Sequence, residues 1–184
     1  MKYKGFSLSE MIIVIVIIAI LLAIAVPAYM SSVRRAEVRN VANGLSDMLS
    51  VLYEYEDKEA VYDKYFVKIN NYVVPEPGTG ERYLQIQLIK YVGGIESVLK
   101  EIKSKAVELN SDIIVTGAGP VATYLYYDKT GTLWRFAGSP GLRTNENHYQ
   151  NANKEFVVKV RGATGGYQKR VIVKALPPGS VEVK

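Results

Sequence analysis

The sequence predicts an α+β fold: one long N-terminal α-helix packed on an antiparallel β-sheet head that also carries an additional amphipathic helix. Three observations carry this reading. Met11 to Val26 is an unbroken apolar run, and an apolar spacing of three and four residues continues beyond it to about residue 59. The C-terminal third alternates apolar and polar residues between turn signals. The chain has 184 residues and no cysteine, which leaves room for one compact domain plus a long helix and no disulfide or thiolate metal site to staple them.

The apolar run makes roughly 24 Å of helix at about 1.5 Å per residue. With Phe6, Leu8 and Ala28 added it approaches the ~30 Å hydrocarbon core of a bilayer. Glu10 stands at its edge, where an unpartnered carboxylate costs on the order of a few kcal/mol; an acid in that setting marks function by default. Pro27 lacks an N–H and crowds the carbonyl four residues back, so a bend or local melting is expected just before it. Beyond it Val38, Val41, Ala42, Leu45, Met48, Leu49 and Leu52 form one apolar stripe, interleaved with Arg34, Arg35, Glu37, Arg39, Asn40, Asn43 and Asp47. Gly44 in that stretch costs roughly 1 kcal/mol relative to alanine. The helix from Phe6 to Glu59 would be about 80 Å long, apolar all round in its first half and on one face in its second.

The head follows from residue 60. Residues 60–82, ending in Pro75-Glu76-Pro77-Gly78-Thr79-Gly80, read as a connecting loop. Tyr83 to Val92 alternates as a strand that Gly93-Gly94 ends, and Ile95, Val98, Leu99, Ile102 and Ala106 then space as an amphipathic helix to about Leu109. Ile113-Ile114-Val115 reads as a short strand. Val121 to Tyr127 and Thr132 to Phe136 flank Asp128-Lys129-Thr130-Gly131, a hairpin turn. Polar residues 138–153 read as an exposed loop. Phe156 to Arg161 and Tyr167 to Leu176 form a second hairpin around Gly162-Ala163-Thr164-Gly165-Gly166, before a short tail at Val181 to Val183.

Three accounts of the N-terminus compete on physical grounds. A secretory signal peptide would use Lys2 and Lys4, the apolar core and a small-x-small site at Ala23-Ile24-Ala25 or Val26-Pro27-Ala28. An uncleaved anchor would hold the two lysines in the cytoplasm. The third is a resemblance. Lys4-Gly5-Phe6-Ser7-Leu8-Ser9-Glu10, the apolar run that follows and Pro27-Ala28-Tyr29 resemble the class III signal and helix of type IV pilins. Family members often carry threonine and isoleucine in place of Ser7 and Ser9, and glycine in place of Ala19.

The resemblance implies cleavage after Gly5 by a membrane peptidase and N-methylation of the new terminus, Phe6. It makes Glu10 the assembly glutamate and Pro27 the helix-kinking proline. It divides the chain into a prepilin leader (1–5), a long helix (6–59, with a membrane or filament-core half 6–28 and an amphipathic half 29–59) and a globular head (60–184). It also implies a precursor in the inner membrane and then a helical homopolymer on the cell surface, with the chain itself, the prepilin peptidase and the assembly machinery as partners. A major pilin is the leading reading. A pseudopilin of a type II secretion or DNA-uptake system is the alternative, and a secreted binding module the reading of a different class. Adhesion, motility, DNA uptake and conduction are all uses of such a fibre.

The remaining residues argue against an enzyme and against a bound cofactor or metal. His148 is the only histidine, there is no nucleophile elbow, and the glycines of 162–166 lack the lysine and hydroxyl of a phosphate loop. Asp128, Lys129 and Thr130 carry turn chemistry rather than a calcium cluster. Trp134 and the fourteen tyrosines suit core, groove and exposed β-surface better than a base-stacking platform. The formal charge is +5, and loss of Lys2 and Lys4 with a leader would lower it by two. Contacts with DNA or anionic surfaces are open to a chain of that charge, which specifies none of them.

Overall fold

The computed structural model describes residues 7–60, 62–73, 83–114, 122–149, 153–163 and 165–184. Gly5, Phe6, the Pro75–Gly80 segment, Val115 and Val121 lie outside them. Helix α1 spans Leu8–Glu59 without a break and contains Pro27. It stops where Ala60 turns left-handed (φ 50°) and its N–H reaches back to the carbonyl of Asp57 at 3.4 Å.

Ten strands follow: β1 (Tyr65–Val73), β2 (Tyr83–Val92), β3 (Ile95–Ser104), β4 (Val107–Asn110), β5 (Thr123–Tyr127), β6 (Leu133–Ser139), β7 (Leu142–Tyr149), β8 (Lys154–Val160), β9 (Gln168–Val173) and β10 (Val181–Val183). They form two antiparallel sheets, a six-stranded one in the order β3-β2-β1-β5-β6-β7 and a four-stranded one in the order β10-β9-β8-β4. The α+β architecture of the sequence reading is therefore present.

The apolar stripe of α1 is the centre of the core. Val38, Val41, Ala42, Leu45, Met48, Leu49 and Leu52 are fully buried against Tyr65, Val67 and Ile69 of β1, Leu84, Ile86 and Leu88 of β2, and Phe156, Val158, Val171 and Val173 of the smaller sheet. Strand alternation sends Phe66, Tyr124, Tyr126 and Phe136 to the other face of the larger sheet. There Tyr124 stacks on Phe136 at 5.0 Å and Arg143 lies over the Tyr126 ring at 4.9 Å. Part of the tyrosine excess is thus core, not surface.

Five expectations need correction. The amphipathic helix over 95–109 is absent: that stretch is β3, then a turn, then β4 in the other sheet. Gly93 and Gly94 do not merely end a strand. Both have positive φ (62° and 88°) and form the two-residue turn of a β2–β3 hairpin. Leu88 pairs with Lys100 but Ile89 pairs with Val98, so Leu99 is an extra residue at a bulge. That bulge breaks the period of two and leaves apolar residues at helix-like intervals.

The loop expected over 60–82 contains β1, which lies inside the larger sheet between β2 and β5. The loop expected over 138–153 contains β7, a polar edge strand paired with β6. The strand expected from Ile113 is a turn at Ile113 and Ile114, with Ile113 buried in the core. The two predicted hairpin pairings, β5–β6 and β8–β9, are present, and Thr164 of the second turn lies outside the described residues.

Candidate functional site: the exposed half of the long helix

Residues 7–36 are exposed on every face, although most are isoleucine, leucine, valine or alanine. Ile15, in the middle of the run, is 61% exposed. An apolar cylinder that the described residues leave bare calls for a cover of lipid or of other chains, because single exposed apolar residues are common on soluble proteins but a continuous rod of them is not. From Leu8 to Tyr29 the rod is about 33 Å long, the thickness of a bilayer core.

Its N-terminus is capped by its own residues. Ser7 Oγ accepts the backbone N–H of Glu10 at 3.3 Å, and the Glu10 carboxylate accepts the Ser7 N–H at 2.8 Å. This is a reciprocal capping box, with the carboxylate at the positive end of the helix dipole. Ser9 joins it through a 3.0 Å hydroxyl contact with Ser7. Glu10 therefore has a partner within the subunit. The signal was legible as Ser-x-x-Glu ahead of an apolar run. Gly5 and Phe6 lie outside the described residues, and Pro27 sits within the continuous helix.

The other half of α1 holds the head, through close approach and one buried acid. Gly44 faces Ile102 of β3, whose Cδ1 occupies the place a Cβ would take. Asp47 on the next turn forms an ion pair with Lys100 of the same strand. Glu56 is completely buried and accepts the backbone N–H of Tyr127 at 2.9 Å, while its Oε1 finds no partner among the described residues. Burial pushes its carboxyl up to about 9, helped by the charges of Asp128 and Asp63 and opposed by the Tyr127 N–H.

The head shows no clustered catalytic chemistry among its described residues. Asp128 caps its turn by accepting Thr130 N–H at 2.8 Å and Thr132 N–H at 3.0 Å through Oδ1, and it holds the Trp134 indole N–H at 2.9 Å through Oδ2. His148 lies on β7 with its ring 4.8 Å from Trp134, not in a loop. No group of three or more His, Asp or Glu side chains placed to hold a metal occurs among the described residues.

Comparison with known proteins bears on the same segment. Residues 1–26 match the prokaryotic N-terminal methylation motif. The chain is also 31% identical over 114 residues to the type IV major pilin protein PilE1 of Neisseria gonorrhoeae. In these two stretches the chain is similar to type IV pilins. That alignment takes in 58% of the chain, and the chain spans about half the length (51%) of the relative. No solved structure matches. The methylation motif covers the capping box and the greater part of the exposed rod, so the segment that the motif defines is the one the pilin-like fold leaves uncovered.

Proposed function

We propose that the chain is a structural subunit of a type IV pilus, and that it acts as a major pilin. The observation that carries this reading is the joining of a methylation motif to a bilayer-length rod with no partner among the described residues. In this reading the precursor sits in the inner membrane with the head outside. A peptidase cuts after Gly5, Phe6 becomes the methylated terminus, and the rods of many copies bundle into a filament. Area removed from solvent in such a bundle stabilises at about 25 cal/mol per Å² once lipid is left behind.

Glu10 sets register. A carboxylate carried into the bundle is tolerated where an amine of a neighbouring copy meets it and penalised elsewhere, because losing one partner of a buried pair costs far more than the pair contributes. Pro27 lacks the N–H that would tie its turn together and is the place where the rod can yield during packing.

The test is the N-terminal residue and intact mass of protein sheared from the cell surface. The expected result is a chain beginning at Phe6 and heavier by one methyl group. A chain beginning at Val26 or Tyr29 would overturn the proposal and leave a soluble exported domain. Correct processing without a surface fibre would point instead to a pseudopilin.

A further inference from the structure

We propose that the end of the head nearest the exposed rod is a basic collar that binds the headgroups of anionic phospholipids. The inference rests on the reading of residues 8–29 as a membrane anchor and goes beyond it, since an apolar rod by itself has no preference among lipid charges.

The collar is assembled from three parts of the chain. Arg34 and Arg35 lie four and three residues before Val38, so they continue the head-facing stripe of α1 one turn past the point where the head begins. Two turns of the head flank that point. The turn between β3 and β4 reaches α1 through Ser104, whose hydroxyl donates to Glu37 at 2.6 Å, and it carries Lys105. The turn between β8 and β9 reaches α1 through Tyr167, whose ring lies 6.0 Å from the Arg35 guanidinium, and it begins at Arg161.

The turns are tied to each other, because Arg161 donates from its backbone to Ala106 O at 2.8 Å and from its side chain to Lys105 O and Val107 O at 3.0 and 3.1 Å. Arg34, Arg35, Arg39 and Arg161 thus gather at one end of the head.

Among the described residues, acid does not cancel these arginines. Glu37, which accepts the Ser104 hydroxyl, sets one negative charge against four arginines, while Glu101 is paired with Lys103 and Glu108 with Lys159. Arg34, Arg35 and Arg39 have no carboxylate within 4 Å among the described residues.

The depth fits as well. With Leu8 at one edge of the hydrocarbon, Tyr29 falls at the other edge, where aromatic rings with a polar tip collect. Arg34 and Arg35 then stand about 8 Å further out, at the level of the phosphates. They lie across the membrane from Lys2 and Lys4, so the cytoplasmic bias of basic residues does not account for them. A basic residue held at an anionic surface contributes about a fivefold preference.

The test uses the full chain in mixed micelles of equal phosphatidylglycerol and phosphatidylcholine, with retained lipids counted by native mass spectrometry. The parent chain should retain phosphatidylglycerol in excess. Replacing the two exposed arginines together (Arg34→Gln, Arg35→Gln) should lower that excess at least about fivefold, and Arg34→Lys with Arg35→Lys should keep it. An excess that the glutamine pair leaves unchanged overturns the collar. So does loss of the excess in both pairs, which would mean that packing and not charge is at work. Retention of a DNA duplex that the glutamine pair abolishes, with the lipid ratio unmoved, would assign the arginines to nucleic acid and also overturn it. Flotation of the parent chain with pure phosphatidylcholine vesicles reads the anchor separately; failure there would end the membrane reading whatever the lipid ratio.

Discussion

At Glu56 a carboxyl group stands where the stripe of α1 would place another apolar side chain, four residues after the buried Leu52. Unfolded, it titrates near 4.5; folded, burial raises it to about 9. Between those values the folded chain holds a proton that the unfolded chain has released. Its contribution to stability is complete below about pH 4.5 and is lost as pH climbs toward about 9, at up to about 1.4 kcal/mol per unit. The urea midpoint should therefore fall from pH 5 to pH 8 in the parent chain and stay nearly level in Glu56→Gln. Equal slopes in the two would mean that another group carries the pH response. Asp128 makes the opposite kind of contribution. Although partial burial pushes its carboxyl up, hydrogen bonds from Thr130, Trp134 and Thr132 hold it below the usual range. Asp128→Ala should cost about 1–3 kcal/mol and shift the emission of Trp134, the single tryptophan of the chain.

Among the elements, α1 and β3 show how local preference yields to packing. Gly44 forgoes about 1 kcal/mol of helix propensity. In return β3 crosses close enough for Ile102 to lie against the helix backbone. Gly44→Ala alone should recover little of that propensity, because its Cβ must displace Ile102 Cδ1. In an Ile102→Val background that atom is gone, and the same change should gain about 1 kcal/mol more than it does in the parent. A double-mutant cycle by urea unfolding reads the difference, and additive effects would sink the explanation. The same elements show what a sequence can and cannot disclose. The stripe from Val38 to Leu52 was legible because a single helix face keeps its period for many turns. Strand β3 was misread because one bulge at Leu99 changed its phase. Strand β1 was missed because Lys68, Asn70 and Asn71 interrupt its apolar residues and resemble loop residues; Asn71 instead bridges to Leu109 O at 2.6 Å. Polar β7 is an edge strand, where charged and amide side chains shield an open ladder. Its dependence on pairing with β6 is not visible in its own composition.

At the scale of the whole molecule, one continuous helix serves two environments, and Glu10 is where their demands meet. The methylation motif and the apolar length were legible at once, since neither depends on the head. The capping box gives Glu10 two separable roles: its side-chain oxygen orders the first turn within the subunit, and its charge would select register between subunits. Glutamine retains the first role because its amide oxygen also accepts the Ser7 N–H, whereas alanine loses both. Helix content of the isolated subunit should therefore be unchanged in Glu10→Gln and fall slightly, by the fraying of the first turn, in Glu10→Ala. Both variants should keep a folded head with the parent's unfolding midpoint, since Glu10 lies far from the core residues of α1. Surface filament yield should drop steeply in both, and to a similar extent, if charge is what assembly reads. A glutamine variant that assembles like the parent while the alanine variant fails would transfer the role from the charge to the cap. The order of the first turn, not an interchain ion pair, would then be what the assembling filament requires.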